Sequence, residues 1–245
     1  MSKTQGQIRI GTSGWYYDHW RERFYPRELA KNKWFDYYAQ HFDTVEINNT
    51  FYHLPKLQTI RTWHERAPQN FVYAVKASRY ITHIKRLREP ADGLRRFFET
   101  ISGLGENLGP ILYQLPPSLG KDPGLLDAFL SFLPEDQTSV FEFRHDSWYE
   151  QDVYELLARR RAALCIHDMS GEFSARVVTG RIVYLRFHGV VGKYEGAYSR
   201  DALRKWAEWL GEQAEAGIGV YVYFNNDVSG HAVNDARKLR ELVNQ

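Results

Sequence analysis

The chain has 245 residues, 43% of them hydrophobic and 25% charged, with a formal net charge of +2. That length and composition allow a full globular core, and the charge is too mild to mark the chain as a nucleic-acid binder. One cysteine, Cys165, excludes an internal disulfide framework and a cysteine-ligated iron–sulfur cluster.

In chain order, the polar start "MSKTQGQ" does not read as a signal peptide. No apolar stretch approaches the ~20 residues of a membrane span. A cytoplasmic protein without membrane contact is therefore expected. Short β-rich runs then recur: "IRIGTS" from 8, "TVEINN" from 44, "FVYAVKAS" from 71 and "ILYQLPP" from 111. They continue with "SVFEFR" from 139, "AALCIHD" from 162, "IVYLRFHG" from 182 and "GVYVYFNND" from 219. Cys165 lies in an apolar run, where a buried structural thiol is expected.

Helical patterns fall between most of these runs. Leu94, Phe97, Phe98 and Ile101 recur at i, i+3, i+4, i+7. Leu126, Phe129, Leu130 and Leu133 do so after Asp122-Pro123, which reads as an N-cap and a first-turn proline. Leu203, Trp206, Ala207 and Leu210 follow the same repeat, and Ala232, Val233, Ala236 and Leu239 form a last helix. Eight strands alternating with helices predict an α/β fold, a (β/α)₈ TIM-type barrel, over one domain from 1 to 245. A doubly wound sheet is the rival, but "GTSGW" lacks the spacing of a dinucleotide fingerprint. Between Asp168 and Arg181, where Ser170, Gly171 and Gly180 fall, no helical repeat occurs. An irregular or hairpin-like crossover is expected there.

Strand parity supplies the functional reading. Successive side chains point to opposite faces, so Val183, Leu185 and Phe187 oppose Tyr184, Arg186 and His188. Likewise Val45 and Ile47 oppose Glu46 and Asn48, and Phe141 and Phe143 oppose Glu142 and Arg144. Tyr73 and Val75 oppose Ala74 and Lys76, while Val222 and Phe224 oppose Tyr223, Asn225 and, just beyond, Asp227. Gln114 is the lone polar residue before "LPP". In a barrel the apolar parity suits the helices, and the active site forms at the C-terminal strand ends. These polar residues, late in their strands, are expected to converge on one mouth. Burying so many charges for stability alone is a poor arrangement, so the set is read as a ligand site.

The segments "IGTSGW", "FDTVEINNTFYHLP", "FVYAVKASRYITH", "LGPILYQLPP", "VFEFRHDSW", "RFHG" and "YVYFNND" occur in order and together resemble the YecE-like family, domain of unknown function 72. The resemblance implies a TIM-type barrel, similar in shape to the endonuclease IV and sugar-isomerase barrels, and supplies no activity. Trp15, Asn49, Tyr52 and Asn226 fall in its motif segments, as do most of the parity residues.

Three classes of function follow. The favoured one is an enzyme acting by acid–base chemistry on an anionic, sugar- or nucleotide-like small molecule. Glu46, Glu142, His188 and Lys76 are its candidate catalytic residues. Arg144 and Arg186 would hold the anion. Trp15, Asn48, Tyr52, Gln114, Asn225, Asn226 and Asp227 complete the binding set. The second class is nucleic-acid processing, from the basic residues Arg79, Lys85, Arg86, Arg88, Arg95 and Arg96 with nearby aromatics. The third adds a divalent metal to either, because Glu46, Glu142, His167, Asp168, His188 and Asp227 are of ligand type. No metal motif such as HExxH occurs and no cofactor is expected. A ligand sensor without chemistry remains a further alternative. Parity alone leaves open which of His167 and Asp168 joins the polar face.

Overall fold

The computed structural model describes residues 5–169, 172–192 and 194–245. Its strands are β1 (Ile8–Thr12), β2 (Thr44–Ile47), β3 (Val72–Lys76), β4 (Leu108–Gln114) and β5 (Ser139–Glu142). They continue with β6 (Ala163–Met169), β7 (Glu172–Phe173), β8 (Ile182–Phe187) and β9 (Gly219–Phe224). The helices are α1 (Trp34–His41), α2 (Asn49–Tyr52), α3 (Leu57–Arg66), α4 (Ala91–Ile101), α5 (Pro123–Leu130), α6 (Gln151–Arg159), α7 (Arg200–Glu215) and α8 (His231–Val243). Strand order in the sheet is β1-β9-β8-β6-β5-β4-β3-β2, with β7 pairing β6 off this path. A parallel bridge from Ser13 to Glu46 links the end of β1 to β2. Eight parallel strands with intervening helices make this a (β/α)₈ TIM-type barrel fold.

The chain groups into two compact units. One comprises the described residues up to Glu46, Ile166–Arg176 and Arg181–Gln245; the other comprises Ile47–Cys165 and Val177–Gly180.

In the first unit, β8 and β9 pair in register from Ile182↔Gly219 to Phe187↔Phe224. The apolar parity of β8 turns to a helix, as alternation requires. Phe187 stacks on Phe224 at 4.5 Å and meets Trp206 of α7 edge-on at 5.7 Å. Leu203, Trp206, Ala207 and Leu210 of α7 are buried, as are Ala232, Val233, Ala236 and Leu239 of α8. An aromatic cluster packs around α1, where Tyr25 stacks on Trp34 at 4.6 Å. Each such side chain contributes roughly 1.5–3 kcal/mol by leaving water.

In the second unit, Phe141 stacks on Tyr113 at 5.3 Å and meets Phe129 of α5 at 6.1 Å. Phe143 stacks on Trp148 at 4.7 Å. The apolar parity of β5 is thus filled by rings. Asp122 caps α5 by accepting from the Leu125 N–H at 2.9 Å, with Pro123 opening the helix. The helix stops at Leu130, short of Leu133, which the repeat had included. Leu133 precedes Pro134, whose ring disfavours helical backbone at the residue before it. In α4, Leu94, Phe97 and Ile101 are buried, and Phe98 is half-buried.

Where a helical crossover was missing from the sequence pattern, β7 turns back antiparallel on β6, with Asp168↔Phe173 and Met169↔Glu172 paired. No helix forms between Ser174 and Arg181. Ser170 and Gly171, part of that expectation, lie outside the described residues. No described helix is long and apolar enough to cross a membrane.

Candidate functional site

The polar parity residues gather into two groups, one in each unit. In the first unit the organising group is the Glu46 carboxylate at the end of β2, fully buried. Gly11 makes its surroundings possible. A Cβ at that position would drive into the Thr44 carbonyl oxygen, so only glycine lets β1 come this close to β2. Two residues on, the Ser13 hydroxyl donates to Glu46 Oε1 at 2.7 Å. Arg186 of β8 donates to the same oxygen at 2.8 Å. The Tyr184 hydroxyl donates to Oε2 at 2.6 Å. Burial, and then the Glu46 charge, push the Tyr184 phenol well above its usual range, so it remains a donor.

His188 continues this chain of contacts. Arg186 NH1 lies 3.4 Å from His188 Nε2, and the Asn225 side-chain amide lies 3.2 Å from Nδ1. A guanidinium can only donate, and the Asn225 Nδ2 amide nitrogen is placed to donate to Nδ1, so both ring nitrogens face donors. The backbone is fixed as well. His188 N–H donates to Asp168 Oδ1 at 2.6 Å, and the Tyr198 hydroxyl donates to Oδ2 while accepting from Gly189 N–H at 2.8 Å. Burial, and secondarily the Asp168 charge, raise the Tyr198 phenol.

The alternative left open on β6 is resolved by these contacts. Asp168 sits with Tyr198, which packs on Phe187 at 4.7 Å, the apolar parity of β8. His167 takes the other face, its ring 6.1 Å from that of His188.

In the second unit the central carboxylate is Glu142, also fully buried. It forms an ion pair with Arg144 and accepts from Gln114 at 3.0 Å. The Cys165 thiol lies 3.8 Å from Oε2. A neighbouring cationic group forms around Phe51 of α2. Lys76 Nζ stands over the Phe51 ring at 4.1 Å, and His83 meets that ring edge-on at 4.9 Å. His83 belongs to a π-helical turn, Tyr80–Ile84, which directly follows Arg79. Desolvation first, then Lys76 and Arg79, lower the His83 imidazole to about 4. Asn48 precedes α2 and does not cap it; its buried Oδ1 has no hydrogen-bond partner among the described residues. Tyr52 is 65% exposed.

Three further predicted binding residues lie in the first unit with partners of their own. Trp15 packs edge-on against Phe35 at 5.5 Å. Asn226 is fully buried and donates to Gly196 O and Asp235, both at 2.9 Å. Asp227 accepts from the Trp20 indole at 2.6 Å and pairs with His19 at 2.8 Å. Sequence reasoning did not single out Ser13, Tyr198 or His83. It placed Tyr184 on the polar face without giving it a role. Among the described residues, no three His, Cys, Asp or Glu side chains gather as a metal-ligand group.

A (β/α)₈ protein with these two polar groups can be placed among known families. The family described as "Protein of unknown function DUF72" matches residues 9–245, and the chain belongs to it. The chain is 27% identical to UPF0759 protein YunF of Bacillus subtilis, over 96% of this chain and 94% of that protein. It is 32% identical to UPF0759 protein YecE of Escherichia coli over 50% of this chain and 46% of that protein. Among solved structures, a DUF72 family protein from Thermotoga maritima superposes with a TM-score of 0.88. That match is at 26% identity and covers 98% of this chain and all of that one. A DUF72 family protein from Enterococcus faecalis superposes with a TM-score of 0.84 at 20% identity, covering 98% of this chain and 96% of that one.

Two predictions follow from the second unit. Glu142→Gln keeps a carbonyl for Arg144 while removing the charge. It is expected to change unfolding stability by less than about 1 kcal/mol and to abolish ligand binding or activity. A loss of about 3 kcal/mol or more with binding retained would mean that Glu142 serves a structural ion pair. The His83 imidazole should titrate near pH 4 by NMR rather than near its ordinary 6.5. Because the folded value is lowered, the unfolded chain binds the proton more readily. The stability contribution is therefore complete above about pH 6.5 and is lost as pH falls toward 4. Lys76→Met should raise that midpoint only partly, since desolvation is the larger cause.

Proposed function

We propose that this protein is an enzyme using acid–base chemistry on an anionic, sugar- or nucleotide-like small molecule. The observation that carries the reading is the fully buried run Glu46–Arg186–His188. A buried ion pair contributes little to stability, because desolvation offsets much of the Coulomb gain. Arg186 is instead suited to stabilise negative charge, since in a water-poor site a fixed cation acts strongly and needs no reorganisation. Glu46, itself held by Ser13 and Tyr184, keeps the guanidinium in place. His188, flanked by Arg186 and Asn225 and held in one backbone position by Asp168, is the proton-transfer group. The second unit carries an acid–base candidate of its own, Glu142, with Lys76 as a cation of that unit.

The small-molecule reading is favoured over nucleic-acid processing by the state of the basic segment. Lys85 pairs with Glu89 at 2.7 Å, Arg86 donates to Ser118 O at 2.7 Å, and Arg95 pairs with Glu99 at 3.1 Å. Half of the six cations that suggested a polyanion surface thus have local partners.

The test is turnover of a panel of sugar phosphates and nucleotides by wild type and His188→Gln. The variant is expected to lose at least about 100-fold in rate, the scale of a general acid–base group. Its circular dichroism should be unchanged. Equal turnover by the folded variant, or no turnover of any panel member by wild type, would contradict the proposal.

A further inference from the structure

The cationic group around Phe51 has a feature that the proposed chemistry at His188 does not use. His83 is half-buried, and it lies beside two groups that carry the same charge it would acquire. A histidine kept for packing gains nothing from Lys76 and Arg79 as neighbours. The backbone is also specialised here. Tyr80–Ile84 forms a π-helical turn, and Arg86, Leu87 and Glu89 all have positive φ (50°, 66° and 46°). Such turns are found disproportionately at functional sites, and left-handed backbone at non-glycine residues is held only where the surroundings impose it.

The contacts define what is available to a ligand. His83 Nδ1 is engaged by the Thr82 hydroxyl at 2.9 Å, so Nε2 is the nitrogen that can meet another molecule. Thr50 donates to the Lys76 carbonyl at 2.7 Å, tying α2 to the end of β3 and holding the Phe51 ring beneath the ammonium. Arg79 is exposed and starts the turn that carries His83. Tyr52, next to Phe51, and Tyr80, in the same turn as His83, are 65% and 44% exposed.

We infer that Lys76, Arg79 and His83 form a binding site for the phosphate group of a phosphate monoester, with Tyr52 or Tyr80 offering a flat surface to its organic part. The inference rests on the reading of the ligand as a small anion and is made for the second unit by itself. Two cations neutralise the oxyanion. The imidazole, neutral in the free protein, takes up a proton once the bound charge outweighs the repulsion from its neighbours. The exposed tyrosines suit the face of a sugar or a base.

The experiment follows the His83 ring signals of the full chain by NMR at constant ionic strength, with inorganic phosphate, adenosine monophosphate and adenosine as separate probes. Both phosphorylated probes are expected to shift the His83 signals saturably and to raise their protonation midpoint by at least one pH unit. Adenosine monophosphate should bind more tightly than phosphate, and adenosine at least tenfold more weakly than the monophosphate. Arg79→Gln, a change at an exposed side chain, should weaken adenosine monophosphate binding at least tenfold, and His83→Asn should weaken it as well. Unchanged affinity in both variants, or a His83 midpoint that ignores phosphate, would overturn the inference. Failure here and failure of the enzymatic proposal are distinguishable. Saturable binding at His83 without turnover would leave the site standing and remove the enzyme. Turnover by wild type with no His83 response to either phosphorylated probe would do the reverse.

Discussion

The ion pair between Glu46 and Arg186 is the constraint on which the first polar group depends. Neither side chain reaches water, so each requires the other, and the two oxygens of Glu46 are shared among three donors, Ser13 just after β1 and Tyr184 and Arg186 on β8. That requirement is met only because Gly11 allows close approach of β1 to Thr44 and because Ser13 and Glu46 bridge. Arg186, once fixed, lies 3.4 Å from His188 Nε2. One costly burial therefore sets the orientation of a whole row of groups.

The second unit solves a related problem differently. Glu142 is buried like Glu46, but its cation comes from two residues further along the same chain, Arg144, and its amide donor from β4. Nearby, Lys76 is supported by the face of an aromatic ring. Cation–π contact of this kind is worth about 0.5–2 kcal/mol. The two groups share ingredients, an acid held by an arginine with an imidazole in the unit, and in the first the arginine lies 3.4 Å from the imidazole.

Much of this could be read from the amino-acid sequence because strand parity is a strict rule. Alternation separated Phe187 from Arg186 and Phe141 from Glu142, and the packing of Trp206 and Phe129 on the apolar faces follows the same division. The barrel class followed from strands alternating with helices, and the hairpin after β6 from a missing repeat. What stayed hidden depends on backbone geometry rather than on period. His83 lay in a run that shows up as charge, and its π-helical turn has no hydrophobic signature. Leu133 fitted the helical repeat of α5 but preceded a proline. The choice between His167 and Asp168 needed a tertiary partner, Tyr198, thirty residues beyond Asp168. Asn226 and Asp227 are polar residues at a strand end, and their partners Asp235, Trp20 and His19 lie on other segments.

The central claim is that the Glu46–Arg186 pair is present for a ligand and not for the fold. The double variant Glu46→Gln/Arg186→Met tests it most directly, because it removes both charges together and leaves neither stranded. Replacing a buried pair by neutral groups of similar size is often neutral or stabilising by about 1–4 kcal/mol. The measurement is chemical denaturation together with calorimetric titration of the best-bound sugar phosphate or nucleotide. The account predicts stability equal to or above wild type and loss of binding. A destabilised protein that still binds with wild-type affinity would contradict it.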